Sequence, residues 1–316
     1  MKKTKALIYF CIAITLFSAC DRRKITRADT ETSGQAAIAA DECFVPILKE
    51  QLDVFTGLNP EATISPVYVG EQAVFDLLTS DSIRMIVAAR ELTGSEKEAL
   101  KEKKVTVRSQ KIAHDGIALI INKSNPDSMI NTALLKEIMT GRITRWSEIG
   151  GASQSLRGEI RVVFDNPNSS TLRFVNDSIA KGTPLSGQLR ALDNNPAVID
   201  FVAQTPNALG IIGVNWISNP NDSTQLSFNE TIRVMAVGID DDITPYNTYK
   251  PYPAYLNNGC YPLVRDVFAI LTDLRGTLPA GFVKFVAGDA GQRIILKAGL
   301  VPATRPTREI FLKDDF

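Results

Sequence analysis

The sequence predicts an α/β fold built on one or two open, mainly parallel sheets. Three observations point there. Short apolar runs alternate with stretches of helical period along most of the chain. The run GIALIIN (116–122) is continuously apolar, as a strand buried on both faces must be. A length of 316 residues suits about two domains or lobes.

The elements follow in order. AAIAA (36–40) reads as a strand. Val45, Leu48, Leu52 and Phe55 recur at helical spacing. ATISPVYV (62–69) is a strand, Val74, Leu77 and Leu78 mark a short helix, and RMIVAA (84–89) is a strand. SEKEALKEKK (95–104) is a charged helix capped at Ser95 or Thr93. After GIALIIN, the helix of Leu135, Ile138 and Met139 is stopped by Gly141. EIRVVF (159–164) is a strand, Leu172, Val175 and Ile179 mark a helix, AVIDFVAQ (197–204) is helical, and LGIIGV (209–214) and RVMAVGI (233–239) are strands. The Pro/Tyr/Asn-rich segment 244–259 has no period and reads as a connecting loop. VFAILTDL (267–274) is a strand. A last helix starts at Phe282 and runs towards Gly299, weakened by Gly288 and Gly291.

Composition excludes several functions. Hydrophobic residues make up 44% and charged residues 22%, which rules against disorder over most of the chain. Lys+Arg and Asp+Glu are both 35, too balanced for a nucleic-acid partner. One histidine, His114, and four cysteines argue against a His-rich metal site, and no metal or cofactor is expected. A hydrolase would have to use His114, yet no GxSxG, HExxH, P-loop or CxxC motif is present, so the chain is read as a non-enzyme. The run Asp240-Asp241-Asp242 lacks the spacing of a calcium loop and reads as an acidic turn.

The N-terminus reads as an address. MKKTK (1–5) is basic, residues 6–18 are apolar and uncharged, and Ala19-Cys20 follow. This is a secretory signal peptide over 1–19, too short to span a bilayer comfortably, where about 20 residues are needed. Phe17-Ser18-Ala19-Cys20 resembles a bacterial lipobox, which implies lipidation of Cys20 and a membrane-anchored lipoprotein facing the periplasm. Residues 20–35, rich in charge and without aromatics, read as a flexible tether. Cys43 and Cys260 then remain, either as a disulfide or as two buried free thiols.

Three spots carry candidate chemistry. In FDNPNSSTLRF (164–174), a turn after a strand leads into Ser169, Ser170 and Thr171 at the start of a helix. Their hydroxyls and free N–H groups suit an anion, although every helix also needs an ordinary cap. In ADECF (40–44), Asp41, with Glu42 beside it, either caps a helix or accepts a proton from a ligand. In AAREL (88–92), Arg90 follows a buried strand and either holds an oxyanion bidentately or serves as a surface ion-pair partner.

AHDGIALIINKSNP (113–126) followed by LLKEIMTGRITRWSEIGG (134–151) resembles the phosphate-binding proteins of ABC importers, in the type 2 periplasmic binding-protein superfamily. TPNALGIIGV (205–214), CYPLVRDVFAIL (260–271) and FVKFVAGDAGQRIILKAGLVP (282–302) continue the resemblance in order. It implies a two-lobed fold with a ligand cleft between the lobes, lobe 1 being 36–112 with 260–316 and lobe 2 being 113–257. It also implies a monomeric solute-binding protein that captures phosphate or a related oxyanion and delivers it to ABC permease subunits. Ser169 and Thr171 match the family's Ser and Thr, Ser170 replaces a Gly, and Arg90 falls on a family Arg. Another family Arg position falls on Asp165, a departure that exchanges attraction for repulsion. The alternative is a divergent envelope sensor or interaction protein with this fold that does not bind phosphate.

Overall fold

The computed structural model describes residues 29–149, 158–219, 222 and 227–304. The signal peptide and Cys20 lie outside the described residues. The chain meets the body earlier than a tether over 20–35 would allow. Asp29 Oδ2 accepts the N–H of Leu278 at 2.7 Å, capping a helix start, and the Glu31 backbone lies against Gly281.

The first half alternates strand and helix. It comprises β1 (Gly34–Asp41), a 3₁₀ turn (Glu42–Phe44), α1 (Val45–Leu58), β2 (Ala62–Val69), α2 (Glu71–Thr79), β3 (Met85–Ala88) and α3 (Gly94–Glu102). In α1 the residues Leu48, Leu52 and Phe55, one stripe at helical spacing, are buried. Thr93 and Glu96 exchange side-chain and backbone bonds as a capping box at α3. The long β4 (Arg108–Ile121) leads into β5 (Met129–Asn131), α4 (Thr132–Met139) and β6 (Arg161–Phe164). Next come α5 (Ser170–Phe174), which passes into a π-helical turn at Val175–Ala180, then β7 (Arg190–Ala191), α6 (Asn195–Gln204) and β8 (Ala208–Gly213). The chain ends with β9 (Arg233–Val234), β10 (Ala236–Gly238), α7 (Pro253–Asn257), β11 (Val264–Leu271), α8 (Leu278–Ala287), α9 (Asp289–Lys297) and β12 (Val301–Pro302).

Two expected elements are broken. The strand read over 233–239 divides, because Met235 N bonds Leu119 O of β4 while Ala236 N bonds Ser128 O beside β5. The last helix divides at Gly288, whose backbone is extended (ψ 174°). There Gly291 lies so close to Val286 that a Cβ would fall 2.5 Å from its backbone, so a glycine is required.

The main sheet has the order β2-β1-β3-β11-β4-β8-β6-β7, with β9 and β12 also paired on β4, while β5 and β10 form a separate two-stranded sheet. β1 pairs in parallel with β2 and β3, and β6 pairs in parallel with β7 and β8. The parallel expectation holds for these outer strands and for the separate β5–β10 pair. β11 runs antiparallel to β3 and β4, and β4 antiparallel to β8, because the chain crosses from one lobe to the other along β4 and returns along β11. One lobe packs Ile38, Phe44, Met85, Leu278 and Phe282 on one sheet face and Val74, Phe75, Leu78 and Ile86 on the other. The other lobe packs Leu119, Ile130, Trp146 and Tyr261 on one face and Ala118, Ile120, Val198 and Ile212 on the other. Each buried Val, Leu, Ile, Met or Phe among them contributes roughly 1.5–3 kcal/mol of transfer free energy. Within β4 the first-lobe core ends at Ala113 and the second begins at Ile117. The residues between them lie at the junction where the site is found.

Candidate functional site

β1 ends at Asp41, where the chain turns back over the end of the sheet. The Asp41 carboxylate caps the 3₁₀ turn: Oδ1 accepts the N–H of Cys43 at 2.7 Å. Its other oxygen, Oδ2, accepts the N–H of Ser170 from the opposite lobe at 3.1 Å. One fully buried carboxylate therefore joins the two lobes. Ser169 caps α5, its Oγ accepting the N–H of Leu172 at 3.2 Å, so the backbone N–H of Ser170 is left to face Asp41. A negative oxygen at this point also meets the positive end of the helix.

Cys43 reaches into the same space. Its Sγ lies 3.1 Å from Thr171 Oγ1, donates to Asp165 Oδ2 at 3.3 Å, and accepts from Ser170 Oγ at 3.6 Å. Its carbonyl accepts from Asn215 Nδ2 (3.0 Å) and Trp216 Nε1 (2.9 Å). Asn195, at the start of α6, donates Nδ2 to Asp165 Oδ2 at 3.4 Å. Asn166 donates to Glu42 Oε2 at 3.1 Å. Arg265 of β11 enters from the crossing strands. It donates Nη1 to Ser170 Oγ at 2.7 Å and Nε to Asp115 Oδ2 at 3.0 Å. Asp115 stands directly opposite Arg265 in the β4–β11 register.

The charges are unevenly matched. Burial, then Asp41 and Asp165, pushes the Cys43 thiol well above its ordinary range, so it is a neutral donor. Burial first, then Asp165 and Asp41, raises the Glu42 carboxyl. Burial also raises Asp115, against the pull of Arg265. Burial disfavours the Arg265 charge, but the Asp115 and Asp41 carboxylates outweigh it and hold the guanidinium protonated. Among the described residues, no donor meets Oδ1 of Asp165, Asn195 or Asn215, and Arg265 Nη2, although close to Asp115, makes no hydrogen bond of its own. The orphaned atoms of the cluster are thus three acceptors and one guanidinium donor.

The structure brings Asp41, Glu42, Ser169, Ser170 and Thr171 to one junction, as the sequence placed them. It does not bring Arg90 into this cluster. The Arg90 guanidinium makes two 2.8 Å bonds to Glu96 and lies 3.5 Å from the centre of the Phe75 ring. It borders, with Ser169, Glu71 and Arg173, an open cavity of about 350 Å³ beside the cluster. There Glu71 of α2 receives Nε of Arg173 from α5, a further tie between the lobes. Cys43 and Cys260 are not bonded to each other; both are free thiols. His114 pairs with Asp266 of β11 at 2.6 Å. Tyr252 stacks on Phe228 and Tyr249 meets Tyr255, so these rings pack the loop. The described residues hold no group of three or more His, Cys, Asp or Glu placed to bind a metal, and no helix long and apolar enough to cross a membrane.

Sequence reasoning missed Arg265, Asp115, Asn195, Asn215 and the position of Cys43. A signal existed for the first two. An arginine inside the apolar strand VRDVFAIL and an aspartate opening the buried strand DGIALII both need a buried partner.

Two lobes that close on a buried polar cluster, with the chain crossing between them on adjacent strands, define a two-lobed binding protein. The sequence profile of the family described as a PBP superfamily domain matches residues 26–290, and the chain belongs to that superfamily. Among curated proteins it is similar to the phosphate-binding protein PstS of Staphylococcus epidermidis, 24% identical over 307 residues that cover 96% of this chain and 89% of that one. It is likewise 23% identical to PstS of Staphylococcus aureus strain USA300, over 96% of this chain and 88% of that one. A crystal structure from Clostridium perfringens, described as a phosphate ABC transporter substrate-binding protein with bound phosphate, superposes with a TM-score of 0.70 at 23% identity. The match covers 86% of this chain and all of that one. An ABC-type phosphate transport receptor from Vibrio cholerae gives 0.63 at 18% identity, over 84% and 99%. These structural likenesses concern the fold.

Proposed function

We propose that this chain is an extracytoplasmic solute-binding protein that captures phosphate or a related oxyanion between its lobes and passes it to an ABC importer. Lobe 1 comprises about residues 36–113 and 265–304 and lobe 2 about residues 117–263, a few residues later than the resemblance implies, following the division between the two cores at Ala113, Ile117, Leu263 and Val267. The protein acts as a monomer, anchored through lipid on Cys20, and binds without catalysis. The single observation that carries the reading is the bond from Ser170 N–H to Asp41 Oδ2. That amide faces the interlobe surface and already takes an anionic oxygen, with the Ser170 and Thr171 hydroxyls and Arg265 beside it. The names of the curated relatives support phosphate as the oxyanion. Calorimetric titration of anion-stripped protein at about pH 6, where phosphate is chiefly the monoanion, tests it. Heat with phosphate or arsenate is expected, and no heat with phosphate, arsenate or sulfate refutes it.

A second reading, the envelope sensor or interaction protein that binds no phosphate, draws on Asp165. A carboxylate stands where the resembling family has an arginine, and it lies fully buried beside Cys43. The same titration separates the two.

A further inference from the structure

The oxyanion reading leaves one feature unused. Asp165 follows β6 and is fully buried; its Oδ2 receives the Cys43 thiol from the opposite lobe and the Asn195 amide from its own lobe. Its Oδ1 has no donor among the described residues. From Cys43 Sγ the Thr171 and Ser170 hydroxyls are one contact away, at 3.1 and 3.6 Å. A buried carboxylate oxygen without a donor is costly, and the natural remedy is a proton on whatever enters the space.

The surrounding charges make the same demand. Asp165 is faced by Cys43 of the 3₁₀ turn, by Asn195 of α6, and by the Asp41 and Glu42 carboxyls at the end of β1. Among the described residues the guanidinium of the cluster is that of Arg265, already paired with Asp115. A dianion without hydrogens would set bare oxygens against two carboxylates. A monoanion with two O–H groups turns both repulsive contacts into charge-assisted hydrogen bonds.

We propose that Asp165 is a second proton acceptor of the cleft, acting with Asp41, so that the site selects a doubly protonated oxyanion, such as the dihydrogen form of phosphate. This rests on the oxyanion reading above. Asp41 alone would accept an anion carrying one hydrogen; the requirement for two comes from Asp165. The neutral thiol of Cys43 holds the Asp165 carboxyl in position.

Calorimetry with inorganic phosphate over about pH 5.5 to 8.5 tests this, on the wild type and on Asp165→Asn, with melting curves to confirm that the variant folds. In the wild type the association constant falls about tenfold per pH unit once phosphate loses its second proton near neutrality, because one proton must be regained to bind. In Asp165→Asn the fall flattens, since the amide can donate to an unprotonated oxygen. Phosphite supplies a second measurement that needs no variant: its monoanion is of similar shape but has a single O–H. At about pH 5.5 it binds the wild type at least roughly tenfold more weakly than phosphate. A wild-type affinity that stays flat through neutrality, an unchanged pH slope in a folded Asp165→Asn, or phosphite binding as tightly as phosphate overturns the proposal and leaves the oxyanion reading standing. Absence of phosphate binding at every pH overturns both.

Discussion

Replacing Arg265 with methionine removes the guanidinium that reaches Asp115 and Ser170 in the interlobe cluster, and the consequences are calculable from its contacts. Arg265 is 6% exposed and Asp115 is completely buried. The arginine meets Asp115 Oδ2 through Nε at 3.0 Å and Nη2 at 2.9 Å, and holds Ser170 Oγ through Nη1. Methionine fills much of the volume but leaves the Asp115 charge uncompensated. Breaking one side of a buried pair costs about 3–5 kcal/mol, or about 6–15 °C in melting temperature for a chain of this size. The sign of the pH dependence follows. Burial already raises Asp115 in the folded state, and loss of Arg265 raises it further, so the folded variant binds a proton that the unfolded chain releases. Stability is therefore retained below the ordinary carboxylate range and lost as pH rises through the raised value. Thermal melting of wild type and Arg265→Met at mildly acidic and mildly alkaline pH reads this directly. A loss below about 1 kcal/mol, or an equal loss at both pH values, would refute the assignment of Arg265–Asp115 as a charged buried pair.

Thiol labelling distinguishes the two cysteines. Cys260, partly exposed, reacts in the native protein, whereas Cys43, buried and with its thiol held well above its ordinary range, reacts only on unfolding; equal rates would contradict the placement of Cys43. Glu71→Gln removes the carboxylate that Arg173 of the other lobe engages. Small-angle scattering should then report a more open ligand-free molecule, with a modest fall in melting temperature, since Glu71 is buried and also accepts the Ala89 N–H while Arg173, about a third exposed, keeps access to water. An unchanged radius of gyration would show that the Asp41–Ser170 bond holds the lobes without it.

Much of the architecture was readable because local rules decide it. The stripe in α1, the Thr93–Glu96 box and the stop at Gly141 (φ +78°) are set within a few residues of sequence. The same holds for the caps Asp41 and Ser169, whose neighbourhood came out as read. What could not be read depends on register between distant segments. Asp115 meets Arg265 only because β4 and β11 pair with those residues opposite, 150 positions apart. Arg90, at the end of a buried strand, suits either an oxyanion or an ion pair, and the structure gives the ion pair. Its partner Glu96 is also the N3 member of the α3 capping box, a coincidence of two roles that propensity does not reveal. The division of 233–239 was hidden for a similar reason: alternating hydrophobicity states that a strand exists, not which partner it takes at each residue.

The Asp115–Arg265 pair also links hinge and site. It lies on the two strands that carry the chain between lobes, in the short interval of β4 between Ala113, in one core, and Ile117, in the other. An ion pair fixed across neighbouring strands stiffens the crossing while the lobes on either side remain separate packing units. Arg265 Nη1 then reaches Ser170, the residue whose N–H receives Asp41. In this arrangement Asp41 of one lobe meets a helix start that the crossing strands hold through Arg265. A cation carried on a strand paired on both sides is desolvated once, on folding, and from there orders the Ser170 hydroxyl.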